Sequence, residues 1–416
     1  MEKGSTHAAS TRTYHILLLT AAALLLAAVA AEPSLELFRG LWRIVTYEAG
    51  LITDPVVTGG LGAALLNMGL VLLCGVGLAR SQKLPFTGAS LACLLMLAGF
   101  AMLGKNILNI QPILLGTWLY SRFTQERFAK YVYLSLYGTC LAPMVSYVLY
   151  YIDGPLAWAA MVAVGLVIGF FLPPIAAYTS RIHQGYNLYN VGFSAGFVGM
   201  AVASVLRGFG VSFETQGSWS SDAHWPLMLL CLLFFAALLI GGIVQGGRWP
   251  GYKRLCHHSG RAVADFVVLE GLPVTMVNMG ACGLIGLAYY LALGVPFSGP
   301  MVCCLFSLCG FAAFGKHPKN ILPVMAGAVL TAFLMHTSLR QQGVLLAAIF
   351  CTGLAPIAGQ YGPVWGFIAG CLHMAVVLNT SFLHGGMNLY NNGFAAGLVC
   401  VIMIPVINAL QPDTDG

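Results

Sequence analysis

HQGYNLYNVGFSAG at residues 183–196 and HGGMNLYNNGFAAG at 384–397 are one motif written twice, with ten of fourteen positions identical. Working outward, a shift of 211 lays residues 54–116 on 265–327 without a gap, and 25 of those 63 positions are identical. The pairs include Asp54 with Asp265, Asn67-Met68-Gly69 with Asn278-Met279-Gly280, and Pro85-Phe86 with Pro296-Phe297. Gly104-Lys105, Asn109, Pro112 and Gly116 match Gly315-Lys316, Asn320, Pro323 and Gly327. The chain is therefore a duplication. The offset falls to 201 at the twin motif, so the second copy is about ten residues shorter, with the loss expected around the Tyr151 to Pro155 turn.

Of 416 residues, 59% are hydrophobic and 8% charged, against roughly 25% charged in soluble domains, so the chain reads as an all-α polytopic membrane protein without large soluble domains. Fifty glycines suit helices that approach closely in lipid. The net charge of +6 is spread over short loops, which argues for membrane orientation and against nucleic-acid binding. The twelve cysteines lie mostly in apolar stretches and lack paired zinc spacing; Cys256-His257-His258 has no second ligand pair, so neither a metal nor another cofactor is expected.

Residues 1–53 read as a first apolar helix and an interfacial helix over 34–52, the latter with Glu36, Arg39 and Arg43 on one face. Ala28-Val29-Ala30 would suit signal cleavage, but a retained helix is the expectation. Repeat 1 spans 54–208; 209–264 is a linker with one membrane span near 226–247 and a basic loop; repeat 2 spans 265–410; 411–416 is a tail. Each repeat supplies about six apolar segments, several shorter than the ~20 residues that cross a bilayer, so broken or re-entrant helices are expected. Arg80, Lys83, Arg122, Arg127, Lys130, Arg181, Arg248, Lys253, Arg254 and Arg261 fall on one side if every segment crosses, which makes that side cytoplasmic. The repeats are then inverted, and the expected location is the bacterial inner membrane; one re-entrant segment per copy would make them parallel instead.

In the twin motif, Asn187, Tyr189, Asn190 and Phe193, with Asn388, Tyr390, Asn391 and Phe394, place amides, phenols and ring edges in apolar helices, where unpaired polar groups cost several kcal/mol. They are read either as the lining of a pathway at the pseudo-symmetry axis or as interhelical ties. GKNILNIQP and GKHPKNILP put a Gly, a charge and a Pro close together in both copies, the mark of a broken helix at a binding site. Lys105 and Lys316 read first as snorkelling helix-stop cations, and with Asn109 and Asn320 as candidates for solute contact. Asn67 and Asn278 are pore-facing or interhelical. His183, His384, Asp54, Asp265 and Glu270 are gating or proton candidates, although the two aspartates also suit helix N-caps. No acid lies at a segment centre, which favours a passive path over an ion pump.

The N-M-G, G-F-A-x-x-G-K and H-x-G-x-N-L-Y-N-x-G-F-x-A-G elements, from Asp54 to Val406, resemble a duplicated bacterial membrane family of unknown function. A second, looser similarity is to urea transporters, carried by GYNLYNVGFSAGFVG and LLNMGLVLL; it implies inverted repeats around a pore of half-helices, with Phe193 and Phe394 as slot residues. The full N-N-P run of that family is missing. The expectation is a channel or facilitator for a small polar solute, with homo-oligomeric association left open, and not an enzyme. The alternatives are a membrane-embedded enzyme or electron-transfer subunit using His183, His384 and Lys105 or Lys316, and a non-catalytic assembly or sensing subunit.

Overall fold

The computed structural model describes residues 2–46, 53–150, 152, 154–213, 217 and 219–410; the 411–416 tail and the end of the interfacial segment lie outside them. Among these residues all regular structure is helical. The first copy runs through α1 (Glu2–Ala31), α2 (Ser34–Thr46), α3 (Pro55–Gly59), α4 (Leu61–Ser81), α5 (Gly88–Phe100), α6 (Gln111–Phe123), α7 (Val132–Gly138), α8 (Ala142–Tyr147), α9 (Pro155–Ile182) and α10 (Asn190–Gly208). The second runs through α11 (His224–Val244), α12 (Trp249–Leu255), α13 (Phe266–Leu269), α14 (Leu272–Leu293), α15 (Gly299–Phe311), α16 (Pro318–Leu334), α17 (Gln342–Phe350), α18 (Ala355–Tyr361), α19 (Pro363–Val377) and α20 (Asn391–Leu410). The chain is a multi-pass membrane protein: eight described helical stretches are long and apolar enough to cross a bilayer. The joining span α11 packs along α14 as α1 packs along α4, and α16 packs on α19 as α6 packs on α9. Among the described residues each copy therefore contains ten α-helices in the same order, and the counterpart of α1 is hidden from sequence comparison because few of its residues match.

Each copy starts its membrane portion on a capped break. Asp54, in extended backbone ahead of Pro55, accepts from the Val56 amide at 3.0 Å, and Gly60 at φ +90° separates α3 from α4. Asp265 accepts from Val267 and Val268, and Gly271 at φ +86° makes the same break. The two carboxylates also reach across the molecule. Asp265 accepts from the Gly88 and Ala89 amides, both at 3.0 Å, capping α5 of the first copy. Asp54 accepts from Gly299 at 3.1 Å, capping α15 of the second, and from Ser220 at 3.2 Å. Helix N-termini favour negative charge, so one carboxylate at each end serves helices of both copies.

The centre consists of α5 and α15, buried along almost their whole length. Gly88 faces the Ala313 carbonyl and Gly299 the Met102 carbonyl, while Gly99 meets Cys303 and Gly310 meets Leu91 and Ala92. The start of each helix lies against the end of the other, so the pair is antiparallel. The helices α10 and α20 cross where Gly192 meets Gly393, with Phe394 seated on Gly196 and Phe193 on Gly397. Beyond the crossing, Arg207 near the end of α10 donates to the carbonyls of Phe382 and Leu383, which precede α20. Asn408 near the end of α20 accepts from Tyr361, whose hydroxyl is 2.8 Å from that of Tyr186, ahead of α10. This second pair also runs in opposite directions.

Replacing Asp54 or Asp265 with Ala strips caps from two helices at once. Unfolding by SDS titration should show a loss of roughly 2–3 kcal/mol for each variant, above the ~1 kcal/mol typical of one cap. A change below about 0.5 kcal/mol, the range of ordinary surface substitutions, would show that the cross-copy caps do not hold the copies together.

Candidate functional site

Two breaks in the membrane helices create the site. With 13 residues each, α5 and α15 rise only about 20 Å and stop short of the ~30 Å hydrocarbon. Their chains leave the helix at Gly104 (φ +101°) and Gly315 (φ +102°), a left-handed conformation suited to glycine. Non-helical backbone at this depth survives only where protein groups satisfy it, and four asparagines do so. Asn67 Nδ2 donates to the Ala101 and Lys105 carbonyls at 3.1 and 2.9 Å, and its Oδ1 accepts from the Ile107 amide. Asn278 donates to Ala312 and Lys316, both at 2.7 Å. Asn109 ties Gly104 to Ser146 and accepts from the Asn106 amide; Asn320 holds the Gly315 carbonyl and accepts from the His317 amide. These four side chains position the break.

The break carries Lys105 and Lys316 into the protein interior, where they are 1% and 0% exposed. The reading of these residues as snorkelling cations is corrected: the turns fold inward, toward the other copy, and neither ammonium reaches the surface. Lys105 Nζ donates to the Tyr390 hydroxyl at 2.7 Å, with the Phe100 and Tyr390 rings 5.3 and 4.6 Å away. Lys316 Nζ donates to the Tyr189 hydroxyl at 2.5 Å and to Thr352 Oγ1 at 2.8 Å, with Phe311 and Tyr189 at 5.2 and 4.6 Å. Each lysine thus meets a phenylalanine of its own copy and a tyrosine of the other. No described carboxylate forms an ion pair with either.

The twin motif aims the tyrosines. Asn187 Oδ1 accepts from the Tyr189 amide and its Nδ2 donates across the axis to the Gly393 carbonyl, both at 2.9 Å. Asn388 does the same with the Tyr390 amide and the Gly192 carbonyl, at 2.9 and 3.1 Å. His183 Nε2 lies 2.8 Å from Asn190 Oδ1, and His384 Nε2 lies 2.9 Å from Asn391 Oδ1. Asn190 and Asn391 in turn donate to the carbonyls of Ala176 and Val377, tying the motif to the preceding helix.

A cavity of about 520 Å³ runs between the copies, from exposed Gln184 and Val263 down to buried Tyr189 and Tyr390, past His183, Asn187 and Asn190. Phe193 and Phe394 do not line it; their centroids are 6.2 Å apart and the rings pack the axis. His384, Asn388 and Asn391 are likewise outside its lining, as are the four asparagines of the breaks and both lysines, which lie behind Tyr189 and Tyr390. Asp54 and Asp265 act as caps, and Glu270 lies 3.2 Å from Arg254 and 3.0 Å from His258, so none of the three faces a lysine. Sequence reasoning did not single out Phe100, Phe311 and Thr352 around the lysines, or Tyr137 in the cavity wall. The first two stand inside the repeated G-F-A-x-x-G-K tract, which signals them; Tyr137 and Thr352 carry no such mark.

An effective cost of several kcal/mol attends a buried ammonium. Cation–π contact contributes about 2 kcal/mol when desolvated and a charged hydrogen bond about 1.5–3, so the lysines add little net stability. Lys316→Met should leave the thermal midpoint in detergent unchanged or raise it. Tyr189→Phe, which keeps the charge and removes one of its two acceptors, should cost about 1–3 kcal/mol. Collapse of the Lys→Met variant with a neutral Tyr→Phe variant would mark the lysine as structural.

No curated protein and no solved structure matches the chain. A family model does match, over residues 34–208 and 245–409, and both matched stretches start within equivalent parts of the two copies. The chain belongs to the family described as protein of unknown function (DUF1576), of which it carries two copies.

Proposed function

We propose that the protein is a facilitator of a bacterial plasma membrane that passes a small polar solute between its two repeats. The observation that carries this reading is the cavity descending from Gln184 to the two tyrosine hydroxyls that receive the buried lysines of both copies. A purely structural centre in lipid has no need of two cations or of a polar-floored opening, whereas intramembrane charge accompanies solute pathways.

The antiparallel pairs α5/α15 and α10/α20 support an inverted arrangement of the repeats, the plan that places substrate sites between halves. Contacts gather the basic loops at one end: Arg261 donates to the Gln184 carbonyl, Arg254 pairs with Glu270, and Asp265 caps α5 just beyond Lys83. The positive-inside rule makes that end cytoplasmic, and the cavity opens there. At the other end the equivalent turn, at Gly385, is covered by the ring of Phe213. Open on one side and covered on the other, related turns of an inverted pair would exchange roles during transport. Asp54, Asp265 and Glu270 are occupied in caps and an ion pair, so the reading assigns none of them to ion coupling.

Gln184→Cys, in a background where the partly exposed Cys74 and Cys371 are Ser, should react with a bulky membrane-impermeant maleimide from the cytoplasmic side. The reaction should stop solute uptake into proteoliposomes, whereas the same label on Ser81→Cys, on that face outside the cavity, should not. Phe382→Cys should react from the opposite side. Uptake that survives the Gln184 label, or labelling of both turns from one side, would count against the proposed path.

A further inference from the structure

We infer that the solute is a small anion, a carboxylate or inorganic oxyanion, bound at the floor of the cavity against Tyr189 and Tyr390, which stand between it and the ammonium groups of Lys316 and Lys105. This inference rests on the pathway reading and adds the chemical class of what passes. The floor is rich in donors and poor in acceptors. An ammonium carries three N–H donors, and the described partners number one for Lys105, Tyr390, and two for Lys316, Tyr189 and Thr352. All three partners are neutral hydroxyls. A phenol that accepts from lysine keeps its own O–H to donate, so Tyr189 and Tyr390, which both border the cavity, add two more donors.

The amide oxygens nearby are already used: Asn187 Oδ1 by the Tyr189 amide and Asn388 Oδ1 by the Tyr390 amide. Both motif tyrosines stand at the N-terminal ends of long helices, α10 and α20, whose dipoles add positive potential. Two buried positive charges with no described counter-charge, surrounded by O–H donors, form a receptor that lacks only the anion. A cation is repelled. A neutral amide or polyol leaves both ammonium groups without a countercharge. The anion accepts from the tyrosine O–H groups and brings a countercharge one hydroxyl away from each ammonium, which offsets the cost of burying it.

The wild-type protein in proteoliposomes tests this with labelled formate, acetate, nitrate, sulfate and phosphate against urea and glycerol. Saturable uptake of at least one anion is expected, inhibited by the other anions and unaffected by urea. That selectivity needs no variant. Lys105→Met with Lys316→Met should lower the anion uptake by more than about tenfold, the equivalent of 1.4 kcal/mol, with Tyr189→Phe and Tyr390→Phe each giving a smaller loss. Uptake of urea or glycerol without any anion overturns the anion assignment and leaves the pathway standing. Uptake of no probe overturns both. Anion uptake unchanged in the double lysine variant, shown folded by gel filtration, removes the lysines from the site.

Discussion

Burying an ammonium in the membrane interior with no described carboxylate beside it is the constraint around which the molecule is arranged. Lys105 and Lys316 are fully enclosed, and among the described residues each is met by hydroxyls and ring faces alone. Such weak compensation works only where several groups converge, and no single helix can supply them. A phenylalanine one turn before the break comes from the lysine's own helix, and the tyrosine comes from the opposite copy. The breaks at Gly104 and Gly315, the asparagines that satisfy them and the glycine crossing of α10 with α20 all serve this convergence.

Reciprocity follows. Asp265 caps α5 while Asp54 caps α15; Asn187 holds Gly393 while Asn388 holds Gly192; each lysine finds the other copy's tyrosine. Neither copy completes its own caps or its own cage. The symmetry is nevertheless imperfect where function would use the difference. Lys316 has Thr352 as a second acceptor, whereas the equivalent Thr139 donates to the Leu136 carbonyl and makes no described bond to Lys105. The cavity approaches past His183 and not past His384.

Much of this was legible in the sequence. Composition gave the membrane class, the 211-residue shift gave the duplication, and the paired Gly-Lys tracts marked the breaks within a few residues of their observed positions. Asp54 and Asp265 announced themselves as N-caps by preceding apolar runs. The Lys–Tyr pairs did not, because their members stand 285 and 127 residues apart and pairing across an axis leaves no local spacing to read. Counting only acids in the apolar segments also hid the point: the interior charge is positive. The kinship of α1 with α11 was invisible for another reason, since helices with a large lipid-facing share are held to hydrophobicity and not to particular residues.

The most direct measurement is an experimental density map of the protein in lipid nanodiscs. It should place both lysine ammonium groups deep within the hydrocarbon zone, each against the other copy's tyrosine, with α5 and α15 running in opposite senses. Either lysine extended to the headgroups, or paired with a carboxylate, would contradict the account.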